Sequence, residues 1–183
     1  MPYHSHRHRR PSMRLRGYDY SSQGAYFVTL CTYQRTCLFG KIVNGKSQLS
    51  PFGQIADDCW QQIPTHFPNV DLDEFIIMPN HLHGIIVIKY ALIKNQPGIK
   101  TADRFGNMMK PGALSTIVRS FKSATTRQIN ILRDAPRSPV WQRNYYDHII
   151  RNAMSYRQIQ HYIRNNPLSW QVDQLHPDNP SKG

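Results

Sequence analysis

His81 and His83 stand one residue apart at the head of an apolar, β-branched run, Gly84-Ile85-Ile86-Val87-Ile88. In a strand alternate side chains share a face, so both imidazoles point one way and Leu82 the other. Two imidazoles on one side can hold one metal ion. Histidines so spaced also serve as surface residues or hydrogen-bonded core residues, so the pair calls for corroboration elsewhere in the chain. Near the C-terminus Ile159, Tyr162, Ile163 and Asn166 recur at helical spacing and should face a sheet together. A tyrosine inside such a stripe is ordinarily a core residue, and Tyr145, Tyr146 and Tyr156 are open alternatives for any chemical role.

The elements that must position these residues are legible from pattern. Phe75-Ile76-Ile77-Met78, Pro79-Asn80 and the His81 run read as strand, turn and strand, a rigid hairpin presenting both histidines. Ala25 to Tyr33 alternates and is the first strand, and Asn44-Gly45 signals a turn after it. Ser50-Pro51 caps a helix through Ile55, Cys59, Trp60 and Ile63 that should end near Pro64. Val70 to Phe75 leads into the second strand.

Lys89 to Gly112, with Pro97-Gly98 and Pro111-Gly112, is expected to be a mobile loop whose several basic residues would turn it toward nucleic acid. Leu114, Ile117, Val118, Phe121, Ile129 and Leu132 form the apolar stripe of a long helix whose other face carries Arg119, Arg127 and Arg133. Pro139 to Tyr146 reads as a fourth strand or extended segment, and a last helix runs from about Ser155 to Asn166, stopped by Pro167. The order strand, helix, strand, strand, helix, strand, helix favours an α+β fold with a ferredoxin-like antiparallel sheet and an additional C-terminal helix.

The 183 residues suit one domain, expected to run from 18 to 172 between a basic flexible arm at 1–17 and a flexible tail at 173–183. Twenty-three Lys and Arg against eleven Asp and Glu give a net charge of +12, which points to a polyanionic partner, nucleic acid first. No apolar run approaches the roughly 20 residues that cross a bilayer, so a soluble, cytoplasmic, nucleoid-associated protein without a membrane partner is expected. Cys31, Cys37 and Cys59 lack zinc-clip spacing and read as reduced thiols.

Three segments in order, Met78-Pro79-Asn80-His81-Leu82-His83-Gly84, then Trp141-Gln142-Arg143-Asn144-Tyr145-Tyr146 running on to Asn152, then Tyr162-Ile163-Arg164-Asn165-Asn166-Pro167, resemble those of the single-tyrosine HUH transposases, and most closely the REP-associated branch. The likeness extends from about Arg14 to Trp170. It implies a DNA-strand nuclease and transesterase in which His81 and His83 bind a divalent metal, Mg²⁺ or Mn²⁺, and Tyr162 is the nucleophile. Asn166 falls where insertion-sequence relatives commonly carry a glutamine ligand. This is a departure from the wider family: an asparagine carbonyl suits a hard cation but reaches less far.

The expected activity is metal-dependent cutting and strand transfer at DNA hairpins or imperfect palindromes through a 5′-phosphotyrosine that conserves the phosphodiester's energy. Arg14, Arg16, Lys110, Arg119, Lys122, Arg127 and Arg143 are the nominated contacts to single-stranded or hairpin DNA. A monomer is favoured over a homodimer. Two other functions remain open on sequence: a basic hairpin-binding protein without chemistry, and a metal hydrolase using activated water.

Overall fold

The computed structural model describes residues 15, 17–92 and 110–179. Arg14, Arg16 and most of the loop between Lys89 and Gly112 lie outside the described residues. Four strands, β1 (Gly24–Cys31), β4 (Val70–Met78), β5 (His81–Ile88) and β6 (Tyr146–Ile150), form an antiparallel sheet in the spatial order β4-β5-β1-β6. Helices α1 (Pro51–Gln61) and α3 (Leu114–Leu132) fill the crossovers β1 to β4 and β5 to β6. That is the ferredoxin-like arrangement expected from the sequence.

Local chemistry explains the boundaries. Ser50 caps α1 by accepting from the Gly53 N–H at 3.1 Å, with Pro51 in the first turn, and a short helix α2 (Ile63–His66) follows where Pro64 interrupts the helical ladder. Asn44-Gly45 does more than turn the chain: both residues have positive φ, 50° and 69°, and they join a hairpin of β2 (Gly40–Val43) and β3 (Lys46–Leu49). These strands are too short and polar to read as strands from pattern.

The sheet has two unlike faces. On one, Tyr26, Val28, Leu30, Leu82, Ile86 and Ile88 pack under α1 and α3 with Trp60, Leu114, Ile117 and Phe121. Gly84 lets Trp60 lie against the sheet, since a Cβ there would stand 2.4 Å from the indole Cζ2. The other face is covered in part by α4 (Ala153–Asn165), through a smaller cluster of Phe27, Ile85, Ile150 and Ile163.

Two expectations shift. The fourth strand is Tyr146–Ile150; Pro139 to Tyr145 runs before it with a single bridge, Trp141 to Thr32. Prolines and turn formers around Pro139 break the ladder there, and the alternation that matters begins at Tyr146. The last helix starts earlier, at Ala153, because Asn152 caps it by accepting from the Ser155 N–H at 2.8 Å.

Candidate active site

The histidine face of β5 meets α4 at the end where the β4–β5 turn emerges. Asn80, buried in that turn, donates its amide hydrogens to the carbonyls of Leu175 (2.7 Å) and Arg35 (3.1 Å), which leaves its Oδ1 to accept from His81 Nδ1 at 2.8 Å. His81 Nε2 therefore presents a lone pair. His83 is held at both ring nitrogens by hydroxyls: its Nδ1 lies 2.8 Å from Thr29 Oγ1, on the neighbouring strand, and its Nε2 lies 3.1 Å from the Tyr162 hydroxyl. The Asn80 carbonyl thus sets the tautomer of His81, whereas the Thr29 hydroxyl, able to donate or accept, fixes the orientation of the His83 ring. The two rings sit 4.5 Å apart between centroids.

Burial has electrostatic consequences. Desolvation holds His81 down to about 4 and, with the His81 ring beside it, holds His83 well below the usual imidazole value, so both are neutral at pH 7. Tyr162 is pushed up to about 12, first by burial and then by the Asp173 carboxylate. The phenol is thus held protonated in the absence of a cation.

Beyond α4 the chain enters a 3-10 helix, Asn166–Val172, and turns back on the histidines. Asn166 is 3% exposed; its Nδ2 donates to Asp173 Oδ2 at 3.1 Å, and its amide also adjoins the His81 ring and the Tyr162 hydroxyl. One ligand atom from each of His81, His83 and Asp173 falls within 4.8 Å of the others. His81 Nε2 and Asn166 Oδ1 are buried acceptors with no donor facing them. Paired orphan acceptors beside a carboxylate are poorly suited to each other and well suited to a divalent cation, so the residues present fit the metal that the sequence implies.

A polar clamp holds α4 in place. The β4 register shifts between Leu72 and Phe75, and there Asp73 accepts from Tyr156 (2.6 Å) and Gln160 (2.8 Å), while Arg164 pairs with Glu74. The tyrosines separate accordingly. Tyr156 is spent on Asp73, Tyr145 lies with its ring 5.5 Å from Lys122 Nζ, Tyr146 packs edge-on to Phe27, and Tyr162 reaches the histidines.

The nominated DNA contacts scatter. Arg119 and Arg127 are exposed on α3, across the sheet from the histidines, and Arg143 is exposed on the segment before β6. Lys110 pairs with Asp19 at 2.9 Å. Lys122 donates to the carbonyls of Gln142 (2.9 Å) and Asn144 (3.1 Å), and burial lowers it to about 8; it anchors the segment before β6.

Sequence reasoning missed Asp173, Thr29, Asn80 as a tautomer-setting residue, and the Asp73 clamp. Thr29 is recoverable, since it lies on the inward face of β1, but Asp173 is not: past Pro167 the chain leaves the α-helix, and no periodicity tells where its side chain points. The sequence-based domain ends at 172, whereas Asp173, Leu175 and His176 all pack at the site, His176 with its ring 4.6 Å from Trp170.

No family model matches the chain. An uncharacterised protein of Haemophilus influenzae Rd is 45% identical over 174 residues, covering 93% of this chain and 95% of that protein. The structure of a REP-associated tyrosine transposase bound to a REP hairpin is similar with a TM-score of 0.57 and 19% identity, covering 86% of this chain and 74% of the other. A crystal structure described as a candidate transposase from Deinococcus radiodurans R1 matches at a TM-score of 0.46 and 17% identity, over 84% of this chain and 97% of that one. Among the described residues, no helix is long and apolar enough to cross a membrane.

Proposed function

We propose that this chain, which belongs to one family with the Haemophilus influenzae protein and has the fold of a REP-associated tyrosine transposase, is itself a single-tyrosine DNA nuclease and strand transferase acting at hairpin DNA. One observation carries the reading. The Tyr162 hydroxyl lies 3.1 Å from Nε2 of His83, which supports reading them as a nucleophile beside a cation-ligating histidine of the same chain.

His81 and His83, with Asp173 and the Asn166 carbonyl beside them, would hold Mg²⁺ or Mn²⁺. Such a cation supplies Lewis-acid polarisation of a scissile phosphate and stabilisation of a departing 3′-oxygen. The protein's own residues do the rest. The Asp73 clamp and the burial of Ile163 fix α4, so that Tyr162 approaches from one direction. Tyr162 Oη attacks the phosphorus, the P–O3′ bond breaks, and a 5′-phosphotyrosyl link and a free 3′-hydroxyl result. Attack by a 3′-hydroxyl on that link restores a phosphodiester and returns the phenol, with no external energy source.

The test is a denaturing gel with a labelled single-stranded hairpin taken from DNA flanking the gene, in Mn²⁺ or Mg²⁺. A protein–DNA adduct is expected with the parent protein, and its loss with chelator and in Tyr162→Phe, while hairpin binding persists. Cleavage without an adduct would support a hydrolase using water. Binding with no cleavage at several flanking hairpins would support a binding protein without chemistry.

A further inference from the structure

The histidine face of the sheet is buried over β5 and β1 but open along the edge strand β6. α4 closes the end where Ile150 meets Ile163 and Ile85, but β6 also carries Tyr146 and His148 on that face, opposite Thr29 and Phe27, and both are exposed. Tyr146 is 41% exposed although it is a large aromatic on a sheet. It is also held: its ring meets Phe27 edge-on at 6.3 Å, Phe27 stacks on His83 at 5.4 Å, and Phe27 meets Tyr162 edge-on at 6.1 Å. One aromatic residue therefore separates the open Tyr146 ring from the Tyr162–His83 pair.

From this we infer a base-stacking platform at Tyr146, bordered by His148, that receives an unpaired nucleotide of the DNA strand next to the scissile phosphate. The inference rests on the proposed DNA-processing reading and adds to it the residue that would receive a base beside the cut. A base offers a π-face to an exposed tyrosine only when it is unpaired. The surroundings suit a nucleotide better than a protein. Tyr146 shares its open face with exposed His148 and follows exposed Arg143 and Asn144 in the chain, which is polar and cationic ground, not the contiguous apolar patch a protein partner needs. The net charge of +12 supplies the attraction for phosphates on either side.

The platform is tested by fluorescence anisotropy in chelator, at low salt, with every protein also carrying Tyr162→Phe so that no chemistry contributes. The probes are a short fluorescein-labelled oligothymidylate and a blunt duplex of the same length. Tyr146→Ala should weaken single-strand binding by about 5- to 150-fold, the loss of one base stack, and leave duplex binding unchanged. Tyr146→Phe, which keeps the ring, should bind as the parent does. The inference is overturned if Tyr146→Ala binds the single strand normally, if it weakens the duplex equally, or if the parent shows no single-strand binding. The catalytic reading fails separately, by absence of a Tyr162-dependent adduct, and that failure would leave the difference between Tyr146→Ala and Tyr146→Phe in place.

Discussion

At the scale of single residues, Asp173 changes the chemistry expected of the site. A site of two imidazoles and an asparagine carbonyl is neutral, whereas Asp173 adds a carboxylate whose Oδ2 accepts from Asn166 and whose Oδ1 accepts from the Leu175 N–H at 2.6 Å. A formal negative charge beside neutral ligands favours a hard divalent cation. Asp173→Asn should therefore weaken Mn²⁺ affinity by about 10- to 100-fold, as measured by titration calorimetry, with hairpin affinity in chelator little changed. Unaltered Mn²⁺ affinity would restrict Asp173 to bracing Asn166 and the Leu175 turn. Tyr162 shows the opposite influence of the same carboxylate. Burial and the Asp173 carboxylate both oppose its ionisation, so in the proposed reaction the phenol would need a cation's charge beside it to attack at neutral pH.

Among the elements, β5 carries both the chemistry and the packing that makes it rigid. His81 and His83 occupy one face, and Leu82, Gly84 and Ile86 occupy the other, under Trp60 and α3. Gly84→Ala would drive a methyl group to 2.4 Å from the Trp60 ring, which is fixed in turn against Phe121 at 5.2 Å. Overpacking of this kind costs about 1–3 kcal/mol, to be read from urea unfolding, and displaces the strand that holds both histidines. A variant of unchanged stability would show that Trp60 can swing aside. The β2–β3 hairpin has a comparable supporting role: Ser47 bonds the Ile77 carbonyl at 2.7 Å, and Gly45, at φ 69°, leaves space for Leu168 of the segment leading to Asp173.

For the molecule as a whole, the buried histidine pair makes folding sensitive to acid. Both imidazoles are depressed in the fold, His81 to about 4, whereas in the unfolded chain they take a proton near 6.5. The unfolded state then binds more protons as pH falls, so the stability that His81 contributes above about 6.5 is lost progressively down to about 4, and His83 acts in the same direction. Asp19, held down to about 2 chiefly by its hydrogen bond to Lys110, gives up its contribution below its ordinary value of 3.8, beneath the window of His81. Thermal unfolding in chelator should show a melting temperature that falls between pH 6.5 and 4.5, and His81→Asn should flatten that slope. An equal slope in the variant would assign the acid sensitivity elsewhere.

The sequence by itself determined the order of the four sheet strands and three long helices, the pairing of His81 with His83 on one face, and a net charge suited to a polyanion. These depend on periodicity, turn chemistry and capping, which act over a few neighbouring residues and so are written locally. Tyr162 is nominated as the nucleophile only through resemblance, because Tyr145, Tyr146 and Tyr156 have equally suitable local contexts. Tertiary structure decided which tyrosine reaches His83, through a clamp between residues as distant as Asp73 and Gln160. It also brought Asp173 into the site, and it left Tyr146 uncovered where α4 ends. Such placements depend on the path of the chain after Pro167 and on how far one helix extends over a sheet, and neither repeats with any period that a sequence displays.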